Sequence, residues 1–367
     1  MPTPRDQRGY QCGPDFITAL AVYGTGAEMP MLATESLYSF GREEHCDLRP
    51  VGPMANKLVA RVQARIDRVR TNSSSNKSLH VTDISAGRND MVIDGIASKE
   101  FDMGAGDSFY IGKARYVAMT DEMRSARVAI TDILGIGQHK AIDDVLIAAV
   151  QEPVCHIVLT GEPGCDQTRF GEVIHYASHR RHRRFHAVDK DATLDSFSRQ
   201  VLLDTAFGTL LVPLYQRGKL DPRFAEAILE PEIDLRLIVC ALSPGKVAAS
   251  FLPNALQRPY EVEIRPLRDR LEEIPQLLDK WLIKRRSPLR FAQLRPELQA
   301  AQLKYKWRGN LEELREWADL LTALARYATR YELKKHSEST DSRLKRIEKD
   351  KLNIKIQFPL VSQKQRA

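Results

Sequence analysis

Residues 155–175 carry the arrangement in this chain with the most evident chemical potential. An apolar run, Cys155–Leu159, suits a buried parallel strand, the turn Gly161-Glu-Pro-Gly164 follows, and a helical stretch continues to His175. A glycine-bearing loop between strand and helix lets the backbone wrap a phosphate. A following Gly-Lys-Ser/Thr would neutralise the β- and γ-phosphates and hold magnesium. Here those positions read Asp166-Gln167-Thr168. A carboxylate repels a polyphosphate, and the lysine is replaced by a neutral amide. Only Thr168 and the backbone from Gly161 to Gly164 remain of a cradle.

Three smaller clusters are weaker. His179-Arg-Arg-His-Arg-Arg-Phe185 suits phosphate or an acidic protein, but a solvated face is the plainer expectation. His175, His179, His182 and His186 lie close together without a carboxylate or cysteine at zinc-site spacing, so no metal site is expected. Cys155, Cys165 and Cys240 lie on or beside strand-like runs and are expected to pack rather than to act as nucleophiles.

The elements that must position these residues change character along the chain. Over 16–120, short runs rich in β-branched and aromatic residues (Phe16–Tyr23, Ser36–Phe40, Leu58–Val69, Leu79–Ile84, Met91–Ile93, Ser108–Ile111) are separated by Gly, Pro, Asn and Ser, which suggests a β-sandwich. From about 128 the pattern alternates. Helical Ala141–Val150 precedes the Cys155–Leu159 run, strand-like Gly208–Leu214 and Leu235–Ala241 follow, and Pro222–Leu229 reads as helix; this is an α/β texture. Beyond Pro266 the signal is helical over Leu267–Ile283, Leu294–Tyr305 and Leu311–Tyr331.

The 367 residues hold 55 Lys and Arg against 48 Asp and Glu, a net charge of +7. Residues 331–367 contribute +5 of it, so the positive charge sits mainly in the last tenth of the chain. Five scattered cysteines without a CxxC fit a reducing cytoplasm rather than a disulfide framework. No signal-peptide pattern or membrane-length apolar run is present, so no membrane role is expected.

Several N-terminal motifs follow one another in order: Gly41-Arg42, Ala60-Arg-Val-Gln-Ala-Arg-Ile66, Asp83-Ile-Ser-Ala-Gly-Arg-Asn-Asp-Met91 and Gly106-Asp-Ser-Phe-Tyr-Ile-Gly112. Together they resemble a forkhead-associated (FHA) domain, a β-sandwich that reads phosphothreonine. The resemblance implies a phosphopeptide site at Arg42, Arg61 and Asn89: arginines for the phosphate and an asparagine clamp on a neighbouring backbone group. The family's serine is Ala60 here and its histidine is Gln63. The lost hydroxyl removes a charge-assisted hydrogen bond worth about 1.5–3 kcal/mol. A weakened phosphate site and a docking sandwich that reads no phosphate are both open.

The later motifs resemble the AAA+ domain of sigma-54-dependent transcriptional activators. They are Ile157-Val-Leu-Thr-Gly-Glu-Pro-Gly164, Ile174 to Ser178 with Phe185-His-Ala-Val188, Ala206-Phe-Gly-Thr-Leu-Leu-Val212, Asp234-Leu-Arg-Leu-Ile-Val-Cys-Ala241, Pro266-Leu-Arg-Asp-Arg-Leu-Glu-Glu-Ile-Pro275 and Trp307-Arg-Gly-Asn-Leu-Glu-Glu-Leu314. Against that pattern, the Walker B acids are Val212-Pro213, the sensor asparagine is Leu242 and the lid arginine is Glu312. The sigma-contacting loop and the C-terminal helix-turn-helix have no counterpart, and the arginine finger has only Arg258 and Arg265 as nearby candidates. Together these changes remove the charges that hydrolysis requires.

The fold expected is multidomain: an FHA-like β-sandwich over 1–127, an AAA+-like α/β core over 128–265, a helical lid over 266–330 and a basic tail over 331–367, in which Leu352–Phe358 alternates like a strand. The function expected is that of an inactive pseudo-ATPase without a cofactor, regulating or scaffolding in the cytoplasm through protein partners, an AAA+ relative or the transcription machinery among them, with oligomerisation open. An ATP-independent DNA-binding regulator, using the basic tail and Arg180–Arg184, and a phosphothreonine adaptor are the alternatives.

Overall fold

The computed structural model describes residues 16–50, 59–69, 77–85, 89–152, 155–188, 199–213, 233–242 and 259–335. They form two compact units. One contains the described residues up to Glu273 together with Lys306–Glu313; the other contains Ile274–Tyr305 and the described residues from Leu314 onward.

The first unit begins with ten strands: β1 (Ile17–Val22), β2 (Glu28–Pro30), β3 (Leu37–Phe40), β4 (Ala64–Arg68), β5 (Lys77–Asp83), β6 (Met91–Ile93), β7 (Ile96–Ala97), β8 (Glu100–Gly104), β9 (Ser108–Ile111) and β10 (Ala114–Thr120). They make two antiparallel sheets, in the orders β2-β1-β10-β9-β6-β7 and β3-β4-β5-β8. Alternation drives the packing. In β4, Ala64, Ile66 and Arg68 turn inward while Arg65 faces solvent. The inner faces share one core in which Phe40, Phe109 and Tyr116 meet edge-on or stacked, with ring centroids 5.2–5.9 Å apart. The sheets therefore form a sandwich.

Thr120 caps the helix that leaves the last strand, α1 (Asp121–Leu134), its hydroxyl accepting from the Met123 N–H at 3.3 Å. α2 (His139–Gln151), β11 (Ile157–Thr160), α3 (Gln167–Ala177), β12 (Phe185–Ala187), α4 (Arg199–Asp204), β13 (Thr209–Pro213), β14 (Arg236–Ala241) and β15 (Tyr260–Glu263) follow. The five strands pair in parallel in the order β12-β13-β14-β11-β15. β11, β13 and β14 are buried at every residue, as a parallel sheet with both faces covered requires. β11, first in this domain's sequence, lies between β14 and β15, and the loop from its C-terminal end leads into α3. That is where an open α/β sheet places its ligand crevice.

The sandwich and the α/β domain are joined within this unit. Arg127 of α1 forms a bidentate pair with Asp143 of α2 at 2.8 Å, both buried, and also donates to the Val22 and Ala27 carbonyls of the sandwich. Asp143 accepts the Gly24 N–H as well, at 2.7 Å. Ala21, Val117, Met119, Met123 and Ile147 form an apolar seam beside it.

The second unit contains α5 (Ile274–Lys284), α6 (Pro296–Gln302) and all but the first turn of α7 (Asn310–Lys335). α5 buries Leu277, Leu278, Trp281 and Leu282 on one face. Arg285 pairs with Asp319, and Arg315 stacks over the Trp281 ring at 5.6 Å.

Several expectations change in detail. The helix expected from Leu267 begins at Ile274, with Pro275 in its first turn; residues 267–273 form two short 3₁₀ turns instead. The strand expected over Leu58–Val69 is confined to Ala64–Arg68, and the helix expected to end at Tyr331 runs to Lys335, into the stretch read as a tail. Pro222–Leu229 and Leu352–Phe358 lie outside the described residues.

Candidate functional site

The loop after β11 joins the C-terminal end of that strand to α3. The Gly161 N–H bonds the Ala241 carbonyl at 2.9 Å, which fixes the loop to the neighbouring strand end. Asp166, in the left-handed region at φ 64°, is the residue before α3. This conformation costs Asp less than most residues. Its carboxylate is 9% exposed, with Arg169 at 3.8 Å. A helix N-terminus attracts anions because its N–H groups and dipole point outward. The Asp166 side chain makes no capping hydrogen bond to that N-terminus, but it brings a negative charge to it.

Gln167 turns back rather than outward. Its side chain is buried and its Nε2 donates to the Glu162 carbonyl at 2.7 Å, closing the loop on itself. Thr168 is exposed in the first turn of α3. Cys165 is buried between these polar residues, and burial pushes its thiol up to about 11, which leaves it a packing group.

The segment 306–313, part of the same unit, covers the loop. Gly164, at φ +83°, packs so closely that a Cβ there would lie 2.2 Å from the Gly309 carbonyl oxygen, so only glycine fits. The Glu312 N–H donates to the Gly164 carbonyl at 3.1 Å. Buried Asn310 accepts the Leu267 N–H at 2.9 Å and donates to the Pro163 carbonyl at 3.1 Å. Arg268 grips the Glu162 carboxylate through both nitrogens, at 2.7 and 2.6 Å, and this hydrogen bonding holds the Glu162 carboxyl below its ordinary range. Gly161, Gly164, Asp166 and Gln167 are thus brought together, with Glu162, Arg268 and Asn310 as partners the motifs alone did not identify.

The C-terminal ends of the neighbouring strands are apolar. Val212 and Pro213 are buried at the end of β13, and Leu242 is half exposed after β14. Among the described residues, no group of three or more His, Cys, Asp or Glu is placed to share a metal ion.

The opposite, N-terminal ends of these strands hold buried cations. Arg180 is 3% exposed, donates to the Asp234 carbonyl at 2.7 Å and pairs with its carboxylate at 2.8 Å. This corrects the expectation of a solvated face at Arg180–Arg184: the first arginine is structural, while Arg184 lies half exposed, 3.7 Å from Asp204. Arg236 is fully buried, donates to the Ala149 carbonyl at 2.8 Å and is lowered to about 10 by burial. His175, between Thr209 Oγ1 and the Arg183 carbonyl, is lowered to about 4, and so is His156; burial is the main cause for each.

A second candidate site lies at one end of the sandwich. Arg42 and Arg61 are exposed on adjoining loops held by backbone bonds, Arg42 N–H to the Ala60 carbonyl and Glu43 N–H to the Arg61 carbonyl, each 3.1 Å. Gly41 is forced there, because a Cβ would lie 2.2 Å from the Arg61 carbonyl oxygen. Glu43 stands 3.6 Å from the Arg61 guanidinium and 3.3 Å from His45, which offsets part of the positive charge. Asn89 joins through its carbonyl, which accepts from Gln63 at 3.1 Å.

Among solved structures, the chain is similar to NtrX from Brucella abortus in complex with ATP, at 18% identity and a TM-score of 0.42, over 55% of this chain and 54% of that one. It is also similar to the Slr1951 protein from Synechocystis (20% identity, TM-score 0.23, 28% of this chain and 96% of that one). A third is the FHA domain of CT664 from Chlamydia trachomatis (17% identity, TM-score 0.22, 28% of this chain and 95% of that one). NtrX covers the C-terminal part and the FHA domains the N-terminal part. The chain spans about half the length of the NtrX structures. No protein-family model and no curated protein matches it.

Proposed function

We propose that this protein is a non-catalytic regulator or scaffold that acts by binding protein partners, with its AAA+-like domain retained for packing and surface rather than for nucleotide turnover. A fold outlives its chemistry when the two rest on different residues. The observation that carries this reading is the inward-turned pair at the head of α3. Asp166 holds a largely buried carboxylate at the residue before α3, and a carboxylate there repels a polyphosphate, while the Gln167 amide donates to the Glu162 carbonyl. Val212 and Pro213 at the end of β13 support the same reading, since neither can hold magnesium or activate water.

The partner-binding face that this reading favours is the loop end of the sandwich, where Arg42 and Arg61 are exposed on loops fixed by backbone bonds. Its ligand would be a phosphothreonine peptide bound weakly, since Ala60 offers no hydroxyl and Glu43 competes for Arg61. A phosphopeptide array probed with the full chain tests it. Binding that disappears in Arg42→Ala supports the reading. Equal binding of phosphorylated and unphosphorylated peptides would leave the sandwich as a docking module that reads no phosphate. The DNA-binding reading rests on the basic tail over 331–367, of which 336–367 lie outside the described residues, and on Arg180–Arg184, of which Arg180 is buried. Retention of full-length protein on duplex DNA at physiological salt would favour it.

A further inference from the structure

Phe207 stands at φ 60°, in the left-handed region, which is disfavoured for a bulky side chain. Its neighbours set the turn that holds it there. The Phe207 N–H donates to the Ile233 carbonyl at 3.2 Å, and the Gly208 N–H to the Thr205 carbonyl at 2.8 Å. Thr205 is fully buried, and its hydroxyl donates to the Val201 carbonyl at 2.8 Å. A Cβ at Gly208 would lie 2.1 Å from the Arg184 carbonyl oxygen, so the turn has no room to relax. Burial does not offset the strain, because Phe207 is 46% exposed. The residues around it share a chemistry. Leu203, in the last turn of α4, is 39% exposed, and its carbonyl accepts the Ala206 N–H at 3.1 Å beside the same turn. The Arg183 guanidinium stands over the Phe207 ring, 5.6 Å from its centroid. His182, Arg183 and Arg184 are all exposed, on a backbone fixed by the Arg183 N–H to the Arg180 carbonyl at 2.8 Å and by the Thr209 N–H to the Arg184 carbonyl at 3.0 Å.

We infer that Phe207, Leu203, Arg183 and Arg184 form a docking surface on the α/β domain for an acidic segment of a protein partner that carries an apolar anchor side chain. The anchor covers Phe207 and Leu203, and carboxylates on either side of it pair with the two arginines. A strained residue held at the surface points to a task outside folding. Aromatic and arginine side chains carry much of the binding energy at protein interfaces, and a fixed backbone lowers the entropy lost when they are covered. The exposed cations complement an acidic partner. A nucleic acid fits less well: Asp204, 3.7 Å from Arg184, stands among the cations, and Leu203 gives a base nothing to stack on. The inference rests on the reading of this protein as a binder of protein partners, but on residues separate from the sandwich loops.

Fluorescence anisotropy tests it, with the full chain and a set of short, labelled, unphosphorylated peptides that carry Leu or Phe amid Asp and Glu. Saturable binding is expected, weakened at least about tenfold in Phe207→Gly and in the double variant Arg183→Gln, Arg184→Gln. Glycine adopts the left-handed turn without strain, so Phe207→Gly is expected to melt no lower than the wild type. The arginine variant, at exposed positions, decides the matter should Phe207→Gly fail to fold. A lower melting temperature in Phe207→Gly with peptide binding unchanged would make the residue structural and overturn the proposal. So would the absence of saturable binding by the wild type. Tighter binding of an oligothymidylate than of the peptides would also overturn it, in favour of a nucleic-acid surface. Acidic-peptide binding lost in Arg42→Ala but kept in Phe207→Gly would place the peptides on the sandwich, with the same consequence. If no phosphothreonine peptide binds while the Phe207 results hold, the reading of the sandwich loops fails and this surface stands.

Discussion

At the scale of single residues, the proposed function rests on a few side chains around the loop after β11. In the proposed reading Asp166 and Gln167 stand where a phosphate loop needs a glycine and a lysine; Asp166 lies 3.8 Å from Arg169 and Gln167 donates to the Glu162 carbonyl. Reversing both therefore has a directional outcome. The double variant Asp166→Gly, Gln167→Lys is expected to gain thermal stabilisation by Mg-ATP that the wild type lacks, by the mass-action effect of a ligand that binds only the folded state. It is not expected to gain turnover, because Val212 and Pro213 supply no acid. His175 and His156 give a second residue-scale prediction. Burial lowers both to about 4 from an ordinary value near 6.5, so the unfolded chain takes up protons first as pH falls. Their contribution is complete above about pH 6.5 and is lost toward pH 4, on the order of 3 kcal/mol for each. Urea midpoints measured from pH 8 to 4 check this, and His175→Gln is expected to flatten part of the slope.

At the scale of elements, the contact of segment 306–313 with the loop after β11 rests on Gly164 and Asn310. Gly164→Ala puts a methyl into the Gly309 carbonyl at a positive φ, and a loss of about 2–4 kcal/mol is expected. Asn310→Ala leaves the Leu267 N–H buried without its acceptor, for about 1–3 kcal/mol. Denaturant unfolding of each variant gives the figure directly. This is also the scale at which the sequence was most informative. Runs with clear alternation or continuous apolar character, such as Met91–Ile93, Ser108–Ile111 and the run ending in Ala241, became strands with close to the expected limits. Glu28–Pro30 and Glu100–Gly104 escaped notice, because edge strands with polar outward residues lack that signal. Arg180 was misjudged for a related reason: its neighbours in sequence are solvated, and only the fold brings Asp234 to its guanidinium. Gln63 read as a lost histidine, and its bonds to Ala60 and Asn89 became visible only with the loops in place.

At the scale of the molecule, the sandwich and the α/β domain share one compact unit, pinned by the Arg127–Asp143 pair. Breaking a buried pair by removing one partner strands a charge and costs about 3–5 kcal/mol. In Arg127→Met the seam is expected to loosen. Hydrogen exchange should show the sandwich and the sheet β11–β15 opening at different denaturant concentrations, where the wild type opens them together. In the proposed reading, a partner bound at the sandwich loops would be held by a body that includes the α/β domain. Calorimetric titration of the full-length wild type with Mg-ATP and Mg-ADP tests the proposed absence of nucleotide turnover most directly. The expected result is no saturable binding, that is, a Kd weaker than about 1 mM, and no phosphate release. Saturable micromolar binding, or any turnover that survives repurification, would contradict it.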